Sequence, residues 1–144
     1  MNIIEAVRTC FQKYNDFSGR ARRAEYWWWV LFTIATGQAS AVLDNIIFGS
    51  YGTSVFGILH SVIFFIPGIA VTCRRLHDIN KSGWWMLAVF VMASFLTLVA
   101  AGTASTDIRS AALIINAIFF ITYFCCLGKR GTSGSNRFGE DPLT

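Results

Sequence analysis

Residues 84–106, WWMLAVFVMASFLTLVAAGTAST, contain no charged side chain, and their apolar residues follow neither a two-residue nor a one-faced helical rhythm. A soluble helix would keep a polar stripe for water. About 20 residues rising roughly 1.5 Å each cross a hydrocarbon layer of about 30 Å, so this stretch is long enough to span a membrane as one helix. Three further runs share its character: Tyr26 to Leu43, Val55 to Cys73 and Ser110 to Gly128. None alternates as a porin strand does. The composition agrees, since 54% of the chain is apolar and only 14% is charged, against about 25% charged in average soluble domains.

These runs predict an all-α integral membrane four-helix bundle of up-down topology, forming a single membrane domain over residues 1–144. The expected spans are about 26–47, 55–73, 84–102 and 108–127, followed by a tail over 128–144. Eleven of the twelve Lys and Arg residues fall before the first span, between the second and third, or in the tail; only Arg109 lies elsewhere. The excess of basic residues in short cytoplasmic loops then predicts that both termini are cytoplasmic. All five tryptophans, Trp27, Trp28, Trp29, Trp84 and Trp85, fall at that same boundary together with Tyr26. Amphipathic rings favour the headgroup layer, so these six residues are expected as interface anchors.

Before the first span, Ile3, Ile4, Val7, Phe11 and Tyr14 recur at helical spacing opposite Glu5, Arg8, Gln12 and Lys13. This predicts an N-terminal amphipathic interfacial helix within 1–16, lying in the headgroup region or docked on the bundle or a partner helix. It is not a cleavable signal peptide, because the apolar run begins too late. The four cysteines lie on or near the cytoplasmic side, where thiols stay reduced, so no disulfide is expected. Cys73, His77 and Cys125 share one depth, but without a CxxC or HxxxH pair no metal site is expected.

Three motifs, FSGRARRAEYWWW at 17–29, RRLHDINKSGWW at 74–85 and NRFGEDP at 136–142, occur in this order around the four runs. Together they make the chain resemble the bacterial inner-membrane family known as domain of unknown function 805, across nearly its whole length. The resemblance implies a small multipass protein of the bacterial inner (plasma) membrane with both termini inside. It implies no activity.

All three motifs sit at the basic end. Arg20, Arg22, Arg23, Arg74, Arg75 and Arg137, with His77, are candidate contacts for anionic lipid headgroups or a membrane partner, because guanidinium forks bind phosphate bidentately. Glu25, Asp78 and Asp141 are their candidate acidic partners, through Arg22–Glu25, Arg74–Asp78 and Arg75–Asp78 pairs at helical spacing. His77 beside Asp78 invites a catalytic reading, but neighbours on a helix point about 100° apart and no nucleophile motif accompanies them.

Within the spans, Gln38, His60, Thr97 and Asn116 all come out about 6 to 9 Å from the outer boundary at 1.5 Å per residue. They are expected to form one polar layer, with Asp44 just above it. Gly37 with Ala41, and Gly57 with Ser61, offer small faces for close packing. Pro67 and Gly68 are expected to bend the second span. The tail is expected to be flexible to Ser135 and to fold back over Asn136–Pro142.

The leading expectation is a non-enzymatic interaction protein that meets anionic lipid headgroups, or a membrane partner or second copy, through its arginines. A channel or transporter, needing an oligomer, and a lipid-headgroup enzyme stay open as alternatives. No glycine-rich nucleotide loop or nucleic-acid motif is present, and topology accounts for the net charge of +4, so neither a cofactor nor a nucleic-acid partner is expected.

Overall fold

A computed structural model describes residues 1–49 and 52–143. They form five helices and no strand: α1 (Ile3–Gln12), α2 (Arg23–Phe48), α3 (Val55–Asp78), α4 (Trp84–Gly102) and α5 (Thr106–Gly128). Helices α2 to α5 are long and apolar enough to cross a membrane. Both chain ends therefore lie at one end of the bundle, called here the terminal end, together with the α3–α4 turn.

α1 starts at a reciprocal cap in which Asn2 accepts from the Glu5 N–H and Glu5 accepts from the Asn2 N–H, satisfying two donors that a helix start leaves over. It ends at Gln12, four residues short of the expected limit. There Asp16 takes the Ser18 N–H and hydroxyl and turns the chain. α1 packs on α2 and α3, burying Ala6 and Cys10. Its Phe11 ring meets Trp29 edge-on at 5.4 Å and Phe64 at 5.8 Å.

α2 and α3 both continue past their apolar runs into charged sequence, to Arg23 and Asp78. Of the charges that extend them, Glu25, Arg74, Arg75 and Asp78 are buried in partnership, whereas Arg23 is exposed. α3 runs through Pro67 as one helix. Proline has no N–H to give the carbonyl four residues back, and that carbonyl, Ile63 O, instead accepts the Tyr14 hydroxyl at 3.0 Å. The chain ahead of the first span thus completes the backbone bonding of the second.

At the opposite end Asp44 of α2 caps α3 from outside. Its carboxylate accepts from the N–H groups of Phe56 and Gly57, both at 2.9 Å, and from Ser54 Oγ at 3.0 Å. Most packing is within two hairpins, α2–α3 and α4–α5, with a slighter contact between α3 and α4. The apolar core gathers at the terminal end around Cys10, Ala21, Tyr26, Trp29, Val71, Leu76 and Leu127. Farther along the spans, Ile34, Val62, Phe95 and Ile121 are exposed, as suits side chains whose solvent is hydrocarbon.

Candidate functional site

The terminal end is organised by Asp78, in the last turn of α3. Its carboxylate accepts from Arg20 Nε at 2.9 Å and from Arg75 Nη1, three residues back on the same helix. Arg20 donates its remaining N–H groups to the carbonyls of Thr132 and Gly134. Arg75 donates to Leu127 O at 2.8 Å and to Lys129 O, closing the C-terminal end of α5, whose last carbonyls have no helical partner. One carboxylate and two guanidiniums therefore tie the α1–α2 link, α3, α5 and the tail together.

Arg74 is fully buried and turns the other way. Its Nη2 donates to Glu25 Oε1 at 2.9 Å, and its Nη1 reaches the carbonyls of Asp16 and Lys13. The Arg22–Glu25 and Arg74–Asp78 pairs expected from spacing are replaced, since Glu25 belongs to Arg74 and Asp78 to Arg75 and Arg20. Arg20, Arg74 and Arg75 are spent on the fold. A buried guanidinium costs several kcal/mol to desolvate and is tolerated only with such partners.

The tail is fastened on the same end. Asn136 donates from Nδ2 to His77 O at 3.0 Å, and the Asn136 and Gly139 backbones exchange hydrogen bonds at 3.0 Å. Phe138 stacks on His77 at 3.9 Å with the rings nearly parallel. Arg137 is exposed, lies over Phe138 at 4.6 Å and donates to Asn80 O. Asp141 accepts the N–H groups of Gly134 and Leu143, and these hold its carboxyl below the usual carboxylate range. The segment Lys129–Ser135, expected to be flexible, is bound through Lys129, Thr132 and Gly134.

His77 Nδ1 lies 3.1 Å from Gly19 O, which can only accept, so in the neutral ring this nitrogen carries the proton. Nε2 then faces the Cys73 thiol at 3.5 Å. The Cys-x-x-x-His spacing on one helix, a signal overlooked in favour of CxxC and HxxxH, was enough to foresee this contact. Among the described residues no third His, Cys, Asp or Glu joins it in a group that could hold a metal.

Outside this internally paired centre lies a groove of about 740 Å³, lined by Arg22, Arg23 and Arg130 with Trp27 and the Gly131–Ser133 segment. Arg23 and Arg130 are exposed and Arg22 is half-buried. Arg130 had not been singled out from sequence, although its place directly after the last span was a usable signal. Of the expected anchors, Trp27, Trp28, Trp84 and Trp85 are exposed, while Tyr26 and Trp29 are buried in the core.

The four intramembrane polar residues do not meet as a layer. His60 Nε2 donates to Thr36 Oγ1 at 3.0 Å, the threonine proton being given to Phe32 O. The imidazole packs against Gly37, where a Cβ would lie 3.4 Å from its Cε1, at ordinary contact distance. Separately, Asn116 Nδ2 donates to Thr97 Oγ1 at 3.2 Å between α5 and α4. Gln38 is exposed. Each polar pair thus serves its own hairpin, as expected of hydrogen bonds that set helix rotation.

The profile of the family described as "Protein of unknown function (DUF805)" matches residues 14–140. The chain belongs to this family. The first two motifs around the arginine centre lie within the match, and the third lies within it as far as Glu140. Among curated relatives, the chain is similar to the "Inner membrane protein YhaI" of Escherichia coli (strain K12), with 33% identity over 91% of this chain and 89% of the relative. It is also similar to the "Inner membrane protein YhaH" of the same strain, with 30% identity over 91% of this chain and 90% of the relative. No solved structure matches.

Proposed function

We propose that this protein resides in the bacterial inner membrane with both termini and the α3–α4 turn in the cytoplasm, and acts without chemistry of its own by contacting anionic lipid headgroups. The observation that carries this reading is the division of its arginines. Arg20, Arg74 and Arg75 are consumed by internal partners, whereas Arg22, Arg23 and Arg130 surround an open groove with no ion pair among the described residues. Eleven of twelve basic residues gather at this end, as cytoplasmic placement requires. The exposed tryptophans mark the membrane surface beside it. α1, with Ile4 exposed and Ala6 and Cys10 docked inward, lies against that surface as an interfacial element.

The transport alternative needs a polar route along the spans. The polar side chains there are instead joined in two separate pairs, which favours the interaction reading.

The test is lipid retention. Purified in mild detergent, the protein is expected to carry phosphatidylglycerol and cardiolipin in excess over phosphatidylethanolamine. Each basic residue at an anionic surface contributes on the order of 1 kcal/mol, so a triple Arg22→Gln, Arg23→Gln, Arg130→Gln variant should lower that preference roughly a hundredfold. An unchanged preference in the folded variant would sink the proposal.

A further inference from the structure

We infer that the protein holds one anionic glycerophospholipid as a resident ligand, its phosphate in the arginine groove and one acyl chain in an apolar groove beside it on α2. The inference rests on the headgroup reading above and makes it a defined site. The second groove, of about 390 Å³, is lined by Ala24, Trp27, Trp28, Val30, Leu31 and Ile34, with no charged side chain. Ala24 and Trp27 line both grooves, so the basic chamber adjoins an apolar strip that follows the first turns of α2 into the span. A free phosphate would use only the chamber. A molecule with an anionic head and a hydrocarbon chain matches both, and in a membrane protein that molecule is a phospholipid.

The chamber also suits an anion in its backbone. Arg22, at the N-cap of α2, supplies no side-chain acceptor to the first N–H groups, and Arg22, Arg23 and Ala24 face the groove. The positive end of the helix dipole adds to the guanidiniums there. Two carboxylates also line the chamber. Asp78 is occupied by Arg20 and Arg75, and Asp141 accepts the backbone N–H groups of Gly134 and Leu143. Asp141 keeps its charge and attracts Arg22, yet three outer guanidiniums against this one carboxylate keep an excess of positive charge. Ala24 puts only a methyl group where the two grooves adjoin, so a larger side chain there would come between them.

Native mass spectrometry of the full-length protein tests this with three probes: phosphatidylglycerol, phosphatidylcholine and glycerol 3-phosphate. The expected result is one phosphatidylglycerol retained per chain, at least tenfold more occupancy than phosphatidylcholine, and little glycerol 3-phosphate. Ala24→Leu, which keeps every arginine, should lower phosphatidylglycerol occupancy at least tenfold while leaving binding to phosphatidylglycerol vesicles intact. Leu31→Trp, which fills the strip at a lipid-facing position, gives the same reading if Ala24→Leu does not fold. Undiminished occupancy in these variants, with loss only in the triple arginine variant, would overturn the resident lipid and leave the broader headgroup reading standing. Glycerol 3-phosphate binding as well as the lipid would overturn it in favour of a free-anion site. Loss of neither lipid nor vesicle binding in the arginine variant would overturn both.

Discussion

Asp78 receives two guanidiniums from different parts of the chain, and its removal isolates both. Asp78→Asn keeps the shape and loses the charge, leaving Arg20 and Arg75 buried without a counterion. That situation costs about 3–5 kcal/mol, and thermal unfolding in detergent should show it as a large fall in Tm. Arg23→Gln, on the exposed rim, should stay within about 0.5 kcal/mol of the parent. Gly131 reports on the same carboxylate from the other side, because a Cβ there would collide with Asp78 Oδ2. Gly131→Ala should displace the tail and lower Tm, whereas an alanine at Gly102, with open space around it, should not. That Asp78 pairs with Arg75 was legible from the three-residue spacing. That Arg74, four residues from Asp78, would choose Glu25 was not, since a long side chain in the last turn of a helix selects whatever acid the fold brings near.

At the scale of elements, the tail from Lys129 to Leu143 is held by a few discrete contacts. Phe138→Ala removes the ring stacked on His77, and Asn136→Ala removes hydrogen bonds to His77 O and to Thr132 Oγ1 at 2.8 Å. Each should weaken docking by roughly 1–2 kcal/mol, seen as faster trypsin cleavage after Lys129 or Arg130 with the spans untouched. Asp141 adds a pH dependence of known sign. Its carboxyl is held below the ordinary 3.8 by backbone N–H groups. Its contribution is therefore complete above the unfolded value and is lost as pH falls through the lower folded one. Tail protection should accordingly be flat from neutral pH to about pH 5 and decline only in stronger acid. The turn-forming residues at 136–142 foretold a fold-back. The binding of 129–135 was hidden, because glycine- and serine-rich sequence shows flexibility but not the buried arginines that tie it down.

For the whole molecule, the placement of charge predicts orientation. A fluorescent-protein fusion after the tail should fluoresce and an alkaline phosphatase fusion there should be inactive, with the opposite pattern for fusions in the 103–105 loop; the reverse result would refute the cytoplasmic assignment. That the chain forms four helices long and apolar enough to cross a membrane was readable from residue order. It depends on a summed property, the apolar length that hydrocarbon demands, to which each residue contributes independently of its neighbours in space. The partners of Arg74, the division of the polar residues into Thr36–His60 and Asn116–Thr97, and the separation of inner from outer arginines emerge only in three dimensions. Each depends on how a helix is rotated and which segment lies across from it. Long-range carbonyl contacts such as those of Ile63 O and Leu127 O fix that rotation, and spacing along one helix does not encode it.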